Sequence, residues 1–144
     1  MGNAVLCAIP HPELIEIFQH RPVLAFAVWR ETLIDAAIFR ETITNNGGRP
    51  GTVRLAHLFS EVYYRMRFVG LARKGSCDLP FSQMQLGELL RMSMISTQRH
   101  LAALRAKGAV DFAYGRLTVH DPKLLAAQGD LDPLYLHSHL QIAR

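Results

Sequence analysis

"LPFSQMQLGELLRMSMISTQRHLAALRAKGAV", Leu79–Val110, is the stretch on which the fold of this chain turns. Ser82 precedes Gln85 by three residues, the spacing at which a serine side chain and a glutamine side chain cap a helix start reciprocally. Leu86, Leu89 and Leu90 then fall on one inward face, and Gly87 is the small residue that lets another helix come close. The pattern pauses at Met92–Met94, where Ser93 is a second cap, and resumes from Met94 or Ile95 to about Lys107, closed by Gly108. Two helices joined by so tight a turn cannot lie antiparallel. They cross steeply, which is a helix-turn-helix.

The flanks extend this reading. Downstream, "AVDFAYGRLTVHD" alternates Val110, Phe112, Leu117 and Val119 around Tyr114 and Gly115, the pattern of a hairpin that makes a wing. Beyond it come a short helix, a glycine break and an apolar tether through Leu131, Leu134, Tyr135 and Leu136. Upstream, "RKGSCDLP" reads as a loop. Before that, "TVRLAHLFSEVYYRMRFVGLA" is an amphipathic helix with Leu55, Leu58, Phe59, Val62, Met66 and Val69 inward, and Arg54, Glu61, Arg65 and Arg67 toward water.

The longest helix is expected from Pro22 to about Asn45, with "NNGG" as its stop; a short helix, "HPELIEIF", precedes it. Its apolar residues form two rows, Leu24, Val28, Ile34 and Ile38 on one side, and Phe26, Trp29, Leu33, Ala36 and Ala37 on the other. A helix apolar around most of its girth must be covered on two sides. Self-association would provide the second cover, and so would a domain wrapped around a central helix.

With 144 residues, 49% of them hydrophobic, the chain can bury one or two small cores, and no apolar run is long enough to suggest a membrane span. The start "MGNAVLCAIP" lacks the basic and apolar regions of a secretory signal, so a cytoplasmic protein is expected. Cys7 and Cys77 lie far apart and can build neither a zinc cage nor an iron–sulfur cluster. The formal charge of +4 is unevenly spread. Residues 47–119 carry eleven Lys/Arg against four acids, a net +7, while the segments before and after are −2 and −1. A localised basic field suits a polyanionic partner, and equally a solvated face that keeps the protein in solution.

A helix held by a crossing neighbour projects its early side chains into the major groove of B-form DNA, where a bidentate arginine discriminates guanine most strongly. Arg99 is the first candidate for base reading, followed by Gln98. Met94 and Ile95 suit thymine methyl groups, since neither can donate a hydrogen bond to a base edge. Ser82, Ser93 and Ser96 sit beside free helix-start amides that favour phosphate oxygens. Lys107, Arg105 and the wing residue Arg116 are phosphate contacts or solvated charges.

"RLAHLFSEVYYRM", "LPFSQMQLGELL", "QRHLAALRAKGAV", "GRLTVHD" and "LDPLYLH" together resemble the C-terminal winged-helix domain of Crp/Fnr family transcription regulators. "VWRETLIDAAIFRETITNNG" is similar to the dimerisation helix of a subgroup of these, and the likeness covers roughly residues 9–139. The resemblance implies a mainly α chain with a small β-hairpin, a winged helix-turn-helix domain preceded by a long dimerisation helix. It divides the chain into residues 1–21, a remnant of an N-terminal sensor region, 22–46, the dimerisation helix, and 47–144, the DNA-binding domain. It implies a homodimer joined through Leu24, Val28, Ile34 and Ile38 on near-palindromic double-stranded DNA, with RNA polymerase a conceivable further partner. Carried over by position, the base-reading arginine falls on Arg99, further base-facing positions on Met94 and Ile95, and phosphate contacts on Ser82, Ser93 and Ser96. Relatives carry an effector-holding β-roll of well over a hundred residues; here its phosphate cassette and the four cysteines of an oxygen-sensing cluster are missing, so no cofactor is expected.

Five positions depart from the family, among them Met94 and Ile95, which replace polar readers. Arg91 stands where a turn glycine is usual and is expected to take a left-handed backbone at about 1 kcal/mol. Thr97 and His100 replace buried aliphatic residues and each needs a hydrogen-bond partner. The leading expectation is therefore a sequence-specific DNA-binding transcription regulator. A rival is a sensor-less interaction protein that heterodimerises with a full-length relative and modulates its DNA binding. No enzyme is expected: the pair His137 and His139 lacks a third ligand, and no nucleophile stands in a recognisable context.

Overall fold

The structure is a computed structural model and describes residues 5–136. α1 (His11–His20) buries none of its side chains. α2 (Pro22–Gly48) opens on Pro22, whose missing N–H costs nothing at a first helical turn. It runs through both glycines of "NNGG", which were expected to stop it, and ends where Pro50 pushes Arg49 into extended backbone at φ −83°, ψ 145°. α3 (Gly51–Phe68) follows at once and carries the core of the domain.

The core is built on the inner face of α3. Leu55 and Phe59 are completely buried, and the Phe59 ring lies 5.5 Å from that of Phe112, centroid to centroid. α4 (Gln83–Leu89) and α5 (Met94–Ala106) add Leu86, Leu101 and Leu104. α6 (Pro122–Gln128) closes the far side with Leu125, its start capped by Asp121 Oδ1, which accepts from the amides of Lys123 and Leu124. A 3-10 turn, Pro133–Leu136, returns to α2 and α3. The winged helix-turn-helix architecture expected from the sequence is the observed one.

The sheet differs from expectation. β2 (Val110–Ala113) and β3 (Arg116–Val119) form the hairpin, but Ser76–Asp78, within a stretch read as loop, is a third strand, β1. The order is β1-β3-β2, all antiparallel, with Cys77 opposite Leu117 and Leu117 opposite Phe112. These three side chains are buried in one row across the sheet. On its other face the Ser76 and Thr118 hydroxyls lie 3.1 Å apart. A three-residue strand with one apolar residue leaves no alternation to read, so its partner strand, not its own sequence, defines it. The hairpin tip, Tyr114 (φ +51°) and Gly115 (φ +72°), has the two left-handed residues of a tight two-residue turn.

Five side chains were placed on the wrong side by periodicity alone. Val69, Leu89 and Leu134 are exposed, whereas Glu61 is buried and Arg54 half-buried. The two charged residues are drawn inward by partners distant in sequence. Arg54 donates to the Leu90 carbonyl at 2.8 Å, satisfying an open carbonyl at the end of α4, and Glu61 accepts from the Tyr135 hydroxyl at 2.9 Å. Among the described residues no helix is long and apolar enough to cross a membrane. His137 and His139 lie outside the described residues.

Candidate nucleic-acid interface

Three local hydrogen-bonding devices fix the bend between α4 and α5. Ser82 and Gln85 form a complete capping box: Ser82 Oγ accepts from the Gln85 amide at 3.1 Å, and Gln85 Oε1 from the Ser82 amide at 2.8 Å. Arg91 turns the chain with φ +52°, the left-handed backbone expected where a glycine is absent. Ser93 then caps α5, its Oγ accepting from the Ser96 amide at 3.2 Å. At the crossing, a Cβ on Gly87 would stand 2.7 Å from the Met92 carbonyl and 2.9 Å from Thr97 Oγ1, so glycine is what permits the approach.

Thr97 and His100 both find the partners their polarity requires. Thr97 is completely buried and its hydroxyl donates to the Ser93 carbonyl at 3.0 Å. His100 is half-buried, with Nδ1 2.7 Å from Thr52 Oγ1 in the first turn of α3. Burial, with the cationic Arg99 and Arg54 nearby, pulls the His100 imidazole below its ordinary range. α5 is thereby joined to the start of α3, where α2 enters the domain.

The outward edge of α5 has a different character. Met94 is 50% and Ile95 76% exposed, and Gln98 and Arg99 on the next turn are exposed as well. These four lie three or four residues apart in pairs and so share one stripe. Ser82 and Ser93 are exposed, Ser96 half-buried, and Lys107 exposed as the C-cap of α5. Arg116 is exposed on the wing and pairs with Asp78 at 3.3 Å. Arg105, read from sequence as a phosphate contact or solvated charge, instead ties α5 to β2 through Asp111 Oδ1 and the Phe112 carbonyl. Tyr114 was given no role by the sequence; it stands fully exposed at the wing tip.

Cys77 is buried in the sheet. Burial and the Asp78 carboxylate push its thiol up, against the opposing pull of Arg116. Among the described residues no three His, Cys, Asp or Glu side chains converge as a metal site would require.

α2 splits the row expected at its interface. Leu24 and Val28 are exposed, whereas Ile34 and Ile38 are half-buried and line a cleft with Tyr64, Phe68, Val69 and Leu136. The opposite row, with Phe26, Trp29 and Leu33, is exposed.

The family profile described as a Crp-like helix-turn-helix domain matches residues 53–128, more than half of the chain. The chain belongs to the Crp-like helix-turn-helix family. That family is one of DNA-binding transcription regulators, and the match spans α3 through α6, the elements that build and flank the bend. No curated protein matches the chain. Among solved structures it is similar to FixK2 from Bradyrhizobium japonicum, with a TM-score of 0.70 at 18% identity, covering 86% of this chain and 61% of that one. It is also similar to reduced CprK without ligand (TM-score 0.47, 20% identity, 83% and 57% covered) and to the Thermus thermophilus catabolite activator protein (0.40, 17%, 83% and 52%). Of these, FixK2 alone is near enough in shape to bear on the fold, and at 18% identity it bears on nothing else. The Crp-like chain spans 61% of the length of FixK2 and 57% of that of CprK.

Proposed function

We propose that this chain is a sequence-specific transcription regulator that pairs with a second copy through α2 and reads promoter DNA with the leading edge of α5. The observation that carries the reading is the state of Arg99. It is exposed on the projecting turn, and among the described residues no hydrogen bond or ion pair holds it. Arg105 and Arg116, by contrast, are engaged within the domain. A guanidinium left open beside Gln98, on a helix carried by the basic part of the chain, is suited to the paired acceptors of a guanine.

In this reading Arg99, Gln98, Ile95 and Met94 face base edges, and Ser82, Ser93, Ser96, Lys107 and Arg116 lie toward phosphates. Residues 22–46 join two copies through the side of α2 that carries Leu24 and Val28, with Ile34 and Ile38 contributing from the cleft beside it. Residues 47–144 are the DNA-binding unit, and residues 1–21 lead into α2.

Selection of bound duplexes from a random pool, with wild type and Arg99→Ala, tests it. The variant is expected to lose discrimination at one base pair by about 1–3 kcal/mol, with little change elsewhere. Equal enrichment by both proteins removes Arg99 from the role. The rival reading, an interaction protein that binds DNA poorly, drew its motive from Arg91, Thr97 and His100. Two of these have satisfied partners, which favours a competent domain. A purified chain that pairs through α2 and enriches no duplex would restore the rival.

A further inference from the structure

The last turn of α2 carries two asparagines whose side-chain oxygens meet no donor. Asn45, only 4% exposed, gives Nδ2 to the Arg54 carbonyl at 3.2 Å, and Asn46 gives Nδ2 to the Leu89 carbonyl at 3.3 Å. A carbonyl only accepts, so neither carboxamide can turn over without setting oxygen against oxygen. Each Oδ1 is held away from its carbonyl and buried, and among the described residues no hydrogen bond reaches it. A buried acceptor left bare is costly, so a pair of them calls for a partner.

Both asparagines line a chamber of about 70 Å³, with Thr42, Glu61, Leu89 and Leu90 among its other walls. Two helix ends meet there. One is the C-terminus of the 27-residue α2, which has no basic residue in its last turn, and the other is the end of α4 at Leu89. Open carbonyls make such ends electronegative. The nearby cations are engaged elsewhere: Arg49 with Glu41 and Asp130, Arg65 with Glu61, and Arg54 through its NH1 on the Leu90 carbonyl. The His57 ring turns Nδ1 to the Gly129 carbonyl at 2.9 Å. The chamber is therefore rich in oxygen acceptors and poor in donors.

A water molecule could give its two protons to the two Oδ1 atoms, but its lone pairs would then face further acceptors. A cation has no such mismatch. Zinc is excluded by the lack of sulfur and by a histidine already committed, and magnesium holds its own waters and asks for more carboxylate than Glu61 alone. Neutral carboxamide and carbonyl oxygens suit a large, weakly hydrated monovalent ion, whose water shell they can replace. The volume takes about two water-sized groups, which is too small for an organic amine of any length.

We propose that this chamber binds a monovalent cation of potassium size, held by Asn45 Oδ1 and Asn46 Oδ1 in the field of Glu61 and the two helix ends. Such an ion would tie the end of α2 to α3 and to the end of α4, since each asparagine already bridges to one of them.

The test melts the full chain in potassium, sodium and choline chloride at one ionic strength and one pH. Potassium is expected to raise the thermal midpoint above that in choline by about 3–6 °C at ten times its dissociation constant, in a saturable way, and sodium to raise it less. In Asn46→Ala, a half-buried position where the chain should still fold, the gap between potassium and choline should close. Crystals of wild type grown in rubidium chloride give a second readout that needs no variant, with an anomalous peak expected between the two Oδ1 atoms. The inference is overturned by equal midpoints in potassium and choline for wild type, which would leave water as the occupant. A gap undiminished in Asn46→Ala would place the ion elsewhere and overturn it too, as would rubidium crystals without a peak in the chamber.

Discussion

His100 and Thr52 join α5 to the start of α3 through a 2.7 Å contact between Nδ1 and Oγ1. Gly51 lies so close beneath the imidazole that a Cβ there would collide with its ring. The contact has a pH dependence of fixed sign. Burial, then Arg99 and Arg54, lower the pKa of His100 in the folded state, so between that value and the ordinary one near 6.5 the unfolded chain binds more protons. Stability is therefore expected to fall as pH drops through about 6.5 and to level off once the folded imidazole is also charged. His100→Asn, which keeps a polar atom near Thr52 but cannot titrate, should lose less of its thermal midpoint between about pH 7.5 and about pH 5.5 than wild type does. An equal loss in both proteins would exclude His100 as the cause.

Arg91 bears the backbone conformation for which a glycine is best suited, φ +52°, and its amide donates to the Glu88 carbonyl at 3.2 Å. Its side chain is exposed and makes no described hydrogen bond or ion pair, so removing it should relieve strain at small loss of contact. Arg91→Gly is expected to stabilise the domain by about 0.5–1 kcal/mol in urea titration. A destabilised variant would mean that the left-handed turn is not where the cost lies.

Gly87 is the converse case, a glycine whose φ is ordinary but whose space is occupied. The Met92 carbonyl, 2.7 Å from where a Cβ would stand, belongs to the turn itself and cannot swing away. Gly87→Ala should cost about 1–3 kcal/mol by forcing α4 and α5 apart. Thr97→Ala, which vacates the other close atom, should not restore the loss, and full restoration would shift the constraint from the turn to the threonine.

The contrast among these residues explains what could be read from sequence and what could not. The bend between α4 and α5 was legible because its devices are local: Ser82 and Gln85, Ser93 and Ser96, and Arg91 act within a few residues of one another. The four positions named as base-facing, Met94, Ile95, Gln98 and Arg99, are the ones the structure leaves exposed on one stripe of α5. Glu61 and Arg105 were misread because their partners come from elsewhere in the chain, Tyr135 for the first and the strand β2 for the second. β1 was missed for the same reason, since it exists through its ladder with β3. On α2, periodicity identified two apolar faces but not which of them the chain itself would cover, because the cleft that takes Ile34 and Ile38 includes Leu136, about a hundred residues later.

The Tyr135 hydroxyl should be the most costly of these distant partners to remove. It donates to Glu61 Oε2 at 2.9 Å and lies 3.5 Å from His57 Nε2, itself 3.8 Å from Glu41 on α2. Burial, then the Glu61 carboxylate, push the phenol far above its ordinary range, so it stays protonated and remains a donor. Its one proton goes to a buried carboxylate whose other described partner, Arg65, stands on the same helix at 3.4 Å. Tyr135→Phe keeps the ring, stacked at 6.4 Å on the His57 imidazole, and deletes the donor alone. The expected loss is about 1–3 kcal/mol, the cost of leaving a buried acceptor short of a partner. In a Glu61→Gln background the same substitution should cost less, because an uncharged amide is cheaper to leave unmatched. Additive losses across the double-mutant cycle would mean that the hydroxyl acts through some contact other than Glu61.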